Sequence, residues 1–276
     1  MPAIIPVDDP LDPRIIAYRD VRERDLVGRD GGFMAEGEVV LKVLLRGGRH
    51  GAQSVLIAEK RLAGLAPLLD SLPDTVPVYV AGQKVLDAIV GFPIHRGILA
   101  HGLGAVPPNP AGLLAGLGPK ALVVVLFGIA NHDNMGGIFR NAAAFGVDAV
   151  LLDPGCCDPL YRKAIRVSVG ATLMVPFGRF ASDDDAIGLL AGQGFESISL
   201  SPAGAMPLAQ LRRPPRAALL LGAEGPGLAA EVLARTRTVG IPMAGGFDSL
   251  NVATTSGIVL HHLAFMAGLD DGPVIR

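Results

Sequence analysis

Three polar turns that contain glycine, all in the second half of the chain, hold the residues that could bind a ligand or do chemistry. The last, IPMAGGFDSLNVATTSGI at residues 241–258, follows a short apolar strand and enters a helix. Residues 219–228 also join a predicted strand to a predicted helix, and residues 131–146 open a helix that bears Arg140. In α/β proteins, ligands commonly bind at turns between a buried strand and a helix. The three turns therefore predict one composite site.

The three turns resemble the three motifs of the SpoU (TrmH-like) family of RNA ribose 2′-O-methyltransferases. The first pattern runs from Asn134 through Gly136 and Arg140 to Phe145 and Gly146. The second is LGAEGPGL at 221–228, where many relatives have Asn instead of Ala before the Glu, and the third is IPMAG at 241–245 with SLNVA at 249–253. The three patterns occur in the family's order and at its spacing.

The resemblance implies methyl transfer from S-adenosylmethionine to a ribose hydroxyl, without a metal. Because a 2′-hydroxyl is a poor nucleophile at neutral pH, the site must align both partners and draw off a proton. Arg140 matches the family's catalytic arginine. A guanidinium normally keeps its proton, so Arg140 either lies where that proton is destabilised or binds phosphate and stabilises the developing oxyanion. The other implied catalytic positions are Asn134, Glu224, Ser249 and Asn251.

These residues also have purely structural interpretations. Arg140 could pair with an acid on an amphipathic helix, and Ser249 or Asn251 could cap the last helix. Glu224 could cap its own turn, and the glycines that follow it could form a helix-entry turn with no ligand. The alternatives remain open at the level of sequence.

The resemblance places the cofactor against the second and third turns. Glycine lets the backbone approach a ligand closely, and main-chain groups can hydrogen-bond adenine. The implied cofactor-binding residues are Ser201, Leu221, Gly222, Gly225, Ile241, Met243, Leu250 and Ala253. Arg166 and Ser168 lie in a further stretch shared with the family, which implies contact with substrate or a partner subunit.

Composition predicts a soluble globular protein of one or two domains. The chain has 276 residues, half of them hydrophobic. Its adjacent cysteines, Cys156 and Cys157, favour a reducing cytoplasmic setting, and the N-terminus lacks the pattern of a signal peptide. The uncharged stretch at 102–119 contains four prolines and five glycines, which predicts a linker and not a membrane helix.

The charge is not that of a typical RNA-binding protein. The net charge is −2; residues 1–101 hold 12 Lys+Arg against 13 Asp+Glu, and the remainder holds the same numbers. Phosphate contacts must therefore come from local clusters. The candidates are Arg14, Arg19, Arg22, Arg24, Arg29, Arg46, Arg49, His50, Arg212, Arg213 and Arg216.

The predicted architecture is α/β with two domains. Residues 1–102 resemble the substrate-binding domain that precedes many SpoU catalytic domains, which is similar in fold to a small RNA-binding ribosomal protein. Residues 103–120 form the predicted linker. In residues 121–276 strands alternate with helices, which predicts a mainly parallel sheet covered on both faces. The resemblance adds a trefoil knot at the C-terminal end and a homodimer, with the final helix (259–266) in the interface.

Predicted strands cover residues 33–37, 54–58, 76–81, 97–101, 121–127, 149–152, 172–176, 197–200, 217–221 and 238–241. Predicted helices cover residues 38–45, 82–89, 134–145, 161–169 and 183–193, with a last helix ending near residue 267.

Two other classes of protein are alternatives. A nucleotide-dependent enzyme on a Rossmann sheet requires G-x-G-x-x-G after the first strand of the domain, and GIANHDNMGG does not supply it. A non-catalytic RNA-binding protein on the same fold predicts loss of motif residues, which are all present. The front domain favours ribosomal RNA as substrate, while tRNA and a resistance methylation of rRNA stay open.

Overall fold

The computed structural model describes residues 2–19, 31–90, 97–182, 184–245 and 249–267. The strands are β1 (Ile4–Val7), β2 (Gly32–Glu36), β3 (Gly51–Ala58), β4 (Val78–Ala81), β5 (Ile98–Leu103), β6 (Ala121–Leu126), β7 (Ala149–Leu152), β8 (Phe177–Arg179), β9 (Glu196–Leu200), β10 (Met206–Pro207), β11 (Arg216–Leu221) and β12 (Arg237–Gly240). The helices are α1 (Glu38–Gly47), α2 (Leu62–Leu69), α3 (Gln83–Val90), α4 (Pro110–Ala115), α5 (His132–Ala144), α6 (Arg162–Val167), α7 (Ala171–Met174), α8 (Ala186–Gly192), α9 (Ala230–Ala234) and α10 (Val252–His261). A π-helical turn, His262–Met266, continues α10.

The chain forms two compact units. The first contains residues 1–106 and 158–174, and the second contains residues 107–157 and 175–276. The sequence predicted a first domain of residues 1–102 and a second of residues 121–276. The structure differs, because residues 158–174 pack with the first unit. No helix in the described ranges is both long and apolar enough to cross a membrane.

The first unit is built on a five-stranded mixed sheet in the order β1-β4-β3-β5-β2. The predicted strands and helices of this half are all present, and β1 and α2 are additions that the sequence did not predict. Helix α1 ends at Gly48, which has a left-handed φ of 61°. Glycine adopts this conformation without strain, and α1 therefore ends two residues beyond the predicted helix end at residue 45.

A buried carboxylate explains why residues 158–174 pack against the first unit. Glu36, at the end of β2, is only 6% exposed. Its Oε2 accepts a hydrogen bond from Arg162 Nη1 at 3.4 Å and lies 3.6 Å from Arg166 Nη1. Arg162 is itself mostly buried, whereas Arg166 is partly exposed. The two arginines of α6 therefore neutralise a charge that β2 would otherwise bury alone.

We expect Glu36→Ala to destabilise the protein by about 3 kcal/mol, since removing one partner of a buried ion pair leaves the other uncompensated. The matched control is Glu196→Ala, which breaks an exposed pair with Arg237 at 2.8 Å and should cost about 1 kcal/mol or less. Urea unfolding midpoints measure both. Equal shifts in the two variants would contradict the prediction.

The second unit contains a seven-stranded sheet in the order β10-β12-β9-β11-β6-β7-β8. Every neighbouring pair in it is parallel, which confirms the predicted mainly parallel sheet. The predicted strand at 172–176 is wrong. Ser168 Oγ accepts a hydrogen bond from the Thr172 amide, and α7 occupies residues 171–174, so the strand starts only after Pro176.

The predicted linker at 103–120 is also partly wrong, because it contains β5's last residue and helix α4. Asn109 caps α4, accepting from the Gly112 amide at 2.7 Å, and Pro110 occupies the first turn. Leu114 is fully buried. Arg216 donates to the carbonyls of Leu114 and Leu117, each at 3.0 Å. Local capping and one distant arginine thus order a stretch whose composition resembles a flexible linker.

Candidate functional site

The second and third turns form a pocket at the carboxyl ends of three neighbouring strands of the second unit. Strands β12, β9 and β11 are adjacent and parallel, and each ends at the pocket. The carboxyl edge of a parallel sheet is the usual ligand-binding edge in α/β proteins. The cavity has a volume of about 190 Å³. Its lining residues are Leu200, Ser201, Pro202, Leu221, Gly222, Ala223, Glu224, Gly225, Gly227, Val239, Ile241, Met243, Ser249, Leu250, Val252 and Thr255.

Most of the sequence-predicted cofactor residues lie in this lining, and one does not. Ser201, Leu221, Gly222, Gly225, Ile241, Met243 and Leu250 all face the cavity. Ala253 is the exception, because its carbonyl accepts from Asn141 and a Cβ built on Gly137 would lie 2.7 Å from its own Cβ. Ala253 therefore packs against α5.

Sequence analysis missed Val252 and Thr255, which line the pocket from α10. These two residues are three positions apart, and side chains at that spacing lie on the same face of a helix. Thr255 could have been identified by its helical spacing from Val252, which is part of the third motif. Pro202 and Val239 carried no such signal, since only the arrangement of strands brings them to the cavity.

Close backbone packing explains the glycines of the second turn. The Gly227 amide donates to the Ala223 carbonyl at 3.0 Å, so the chain folds back on itself. A Cβ built on Gly222 would lie 2.3 Å from the carbonyl carbon of Gly227. Gly225 and Gly227 have φ values of 88° and 70°, which L-residues with a side chain rarely adopt. The sequence of the turn is thus imposed by its backbone.

One residue from each of the three motifs meets in a polar cluster, defined here as Asn134, Glu224 and Asn251. Asn134 Nδ2 donates to Glu224 Oε1 at 2.6 Å. Asn251 Nδ2 donates to Asn134 Oδ1 at 2.8 Å and to Glu224 Oε1 at 3.2 Å. Glu224 also lines the cavity. The polar cluster therefore joins the pocket to helix α5.

Asn251 has a structural role as well. Its Oδ1 accepts from the amides of Ala253 and Thr254 at 2.9 and 3.1 Å, so it caps α10. Because these amides require an acceptor, they fix which way the Asn251 side-chain amide faces and turn its Nδ2 toward Asn134 and Glu224. The capping interpretation and the site interpretation are both correct for this residue. Ser249 is not the cap and lines the cavity.

Arg140 lies on α5, six residues after Asn134, and is exposed. It makes no hydrogen bond or ion pair with any residue that the structure describes. The alternative in which Arg140 pairs with an acid is therefore not found among those residues. Its guanidinium is available to an anionic ligand.

Arg166, Ser168 and the two histidines near the end of α10 make local structural contacts. Ser168 is buried and donates to the Ile165 carbonyl at 3.0 Å, and Arg166 pairs with Glu36. His262 Nε2 lies 2.9 Å from the Leu211 carbonyl oxygen, and the His261 ring contacts that of Phe145. Both histidines therefore pack against neighbouring elements of the second unit.

The candidate phosphate-binding residues differ in whether they are free to bind. Arg14 pairs with Asp12, and Arg216 binds carbonyls of α4 and its following turn. His50 is buried, and this burial lowers its pKa to about 4, so it is neutral at pH 7. Arg46 is exposed and Arg49 partly so, and neither has an ion pair within the described ranges. Arg22, Arg24 and Arg29 lie outside the described residues.

A pocket at the carboxyl edge of a parallel sheet, joined by a polar cluster to a helix with an exposed arginine, defines a ligand-binding α/β protein. The model of the SpoU rRNA Methylase family matches residues 121–261. A Mycobacterium bovis protein described as an uncharacterized tRNA/rRNA methyltransferase is 39% identical over 265 residues, which cover 92% of this chain and 90% of the relative. The chain belongs to the SpoU rRNA methylase family, a family of RNA methyltransferases, and the resemblance is confirmed.

Solved structures of low sequence identity share the fold over nearly the whole chain. An AdoMet-bound rRNA methyltransferase from Sinorhizobium meliloti gives a TM-score of 0.79 at 22% identity, covering 94% of this chain and 97% of that protein. A structure described as an RNA 2′-O ribose methyltransferase gives 0.76 at 23% identity, with 94% and 98% covered.

Proposed function

We propose that this protein transfers a methyl group from S-adenosylmethionine to a ribose 2′-hydroxyl of RNA. We propose ribosomal RNA as the substrate. The observation that carries the proposal is the meeting of all three motifs in the polar cluster beside the pocket. When bound, the cofactor would supply a methyl group on a sulfonium: an O–C bond would form as the S–C bond breaks, the sulfur would leave as a neutral thioether, and the hydroxyl proton would pass to solvent water.

The lining of the pocket fits this cofactor. Leu221, Ile241, Met243 and Leu250 offer apolar side chains for a nucleoside, and the second turn brings main-chain groups to the same cavity. Glu224 adds a carboxylate, which would attract the positively charged sulfonium of the cofactor. The similarly folded Sinorhizobium meliloti protein was solved with AdoMet bound, which supports the assignment.

Arg140 and the polar cluster have different proposed roles in the reaction. The cluster would hold the start of α5 against the pocket, and the exposed guanidinium would bind an RNA phosphate or the developing oxyanion. Positioned donors of this kind stabilise charge that develops in the transition state. We favour this role over that of a base, because Arg140 is exposed and a guanidinium is a donor with no acceptor atom.

We propose that the first unit holds the RNA, in keeping with the family resemblance of residues 1–102. Arg46 and Arg49 follow one another closely at the end of α1, and the described residues supply no acid to neutralise them. Free cations on one short segment can contact successive phosphates, and such contacts make binding depend on salt.

Replacing both Arg46 and Arg49 by Ser should weaken RNA binding and reduce the slope of log K against log salt by about 1.5, since each phosphate contact contributes roughly 0.7–0.9. The matched control replaces Arg14 and Lys42, which removes the same charge from residues already paired with Asp12 and Glu38. Filter binding over a range of salt concentrations measures both slopes. If the control loses as much slope as the test variant, these arginines are not phosphate ligands.

We also propose that the protein is a homodimer that uses the end of α10. Val259, Leu260 and Leu263 of the predicted interface helix are buried within the chain. Phe265 and Met266 are 42% and 66% exposed and leave an apolar surface. Light scattering should give the mass of a dimer, and Phe265→Glu with Met266→Glu should give a monomer. A monomeric unaltered chain would contradict this proposal.

The family's trefoil knot is proposed for this chain too. Membership of the SpoU family supports it. Pulling the chain by its ends with optical tweezers tests it, because a knotted chain extends to a shorter length than an open one. A full extended length would exclude the knot.

The activity itself is tested with labelled S-adenosylmethionine and total RNA from a strain that lacks the protein. We expect label in ribosomal RNA, and mapping should place it on a ribose 2′-oxygen. Label in tRNA would reassign the substrate while keeping the reaction. Cofactor binding without label in any RNA fraction would favour a non-catalytic RNA-binding protein.

A further inference from the structure

The side chain of Asn141 connects the two helices that bear the first and third motifs. Its Nδ2 donates to the Ala253 carbonyl at 2.7 Å and to Ser256 Oγ at 2.9 Å. Ser256 is fully buried, and its own hydroxyl donates to the Ala253 carbonyl at 2.7 Å. The three polar groups thus satisfy one another inside the contact between α5 and α10. The sequence motif gave no role to Asn141, because its pattern leaves this position free.

Two glycines let the helices come close enough for this contact. A Cβ built on Gly137 would lie 2.7 Å from the Cβ of Ala253, and one built on Gly257 would lie 3.2 Å from Asn141 Nδ2. A larger residue at Gly137 would push the helices apart. At the observed separation, a short amide side chain on α5 reaches a backbone carbonyl of α10.

Asn141 repeats, two turns later, the attachment made by Asn134. Residues seven apart lie on the same face of a helix, and both asparagines of α5 face α10. Asn134 binds Asn251 at the start of α10, and Asn141 binds Ala253 and Ser256 further along it. Two attachments at different heights restrain both the rotation and the sliding of α5, which neither could do alone.

Arg140 depends on this restraint, because its own side chain has no fixed partner among the described residues. Its position relative to the pocket is set only by the backbone of α5. We propose that Asn141 is a positioning residue that holds α5 in register with α10 and so aligns Arg140 with the polar cluster and the pocket. This inference rests on the proposed methyl transfer and deepens it.

The test compares Asn141→Leu, which keeps the size of the side chain but removes its donor, with the full-length unaltered protein. The single-turnover rate of methyl transfer at saturating cofactor and RNA should fall about tenfold to a hundredfold, the loss expected from a misplacement near 1 Å. Cofactor affinity should not change, since Asn141 does not line the cavity. Ser256→Ala removes one of the two acceptors and should give a smaller fall, which keeps the test decisive if Asn141→Leu does not fold.

A control separates positioning from general stability. Leu190→Ala truncates a fully buried side chain of α8 and should destabilise the protein without slowing transfer at a temperature where it remains folded. A rate in Asn141→Leu equal to that of the unaltered chain, or a fall no larger than in Leu190→Ala, overturns the inference. If the unaltered chain transfers no methyl group, the proposed function itself is refuted. The positioning role of Asn141 in that reaction is then refuted as well.

Discussion

Arg140→Ala should lower the rate of methyl transfer about 10²–10⁴-fold, the range usual for loss of a group that stabilises or protonates the transition state. The physical reason is that Arg140 is exposed, lacks an internal partner among the described residues, and lies on the helix that the polar cluster ties to the pocket. Quenched time courses with labelled cofactor measure the rate. Because Arg140 does not line the cavity, calorimetry should show unchanged cofactor affinity.

Arg140→Lys refines this result. Lysine keeps a positive charge but lacks the planar fork with which arginine binds phosphate and oxyanions in two places. We therefore expect a rate between those of Arg140→Ala and the unaltered chain. An Arg140→Ala variant as active as the unaltered chain would remove Arg140 from the mechanism, and a parallel loss of cofactor affinity would assign it to the pocket.

Gly222→Ala should have the second large effect, on cofactor binding and on stability together. The new Cβ would lie 2.3 Å from the carbonyl carbon of Gly227, so the backbone of the second turn must move. We expect a loss of about 1–3 kcal/mol of stability, as for other overpacked sites. The cofactor dissociation constant should rise at least about tenfold, equivalent to 1.4 kcal/mol of binding energy. Calorimetry and urea unfolding measure the two quantities.

Gly192→Ala is the matched control for this substitution. A Cβ at Gly192 would meet no atom within 4 Å, and the residue lies at the end of α8. Cofactor affinity should therefore stay the same, and stability should not fall. If Gly222→Ala binds the cofactor as tightly as Gly192→Ala, the second turn does not form the cofactor site.

Local patterns in the sequence predicted the architecture well. Alternating apolar strands and helices predicted the parallel sheet of the second unit, and the predicted helix at 38–45 matches α1 to within two residues. The errors arose where one local pattern fits two structures. Residues 172–176 have the apolar and β-branched composition of a strand. The Thr172 amide nevertheless donates to Ser168 Oγ, and the turn at Gly170 leads into helix α7, which takes up residues 171–174.

The family, the three turns and the residues in them could all be predicted from the sequence, because each motif lies within one short stretch of the chain. Tertiary structure alone decided which of these residues meet. Asn134 and Glu224 are 90 residues apart, and Asn134 and Asn251 are 117 apart. It also turned Ala253 toward Asn141 and paired Glu36 with Arg162. Contacts over such distances depend on how every intervening element packs, and no local pattern encodes that.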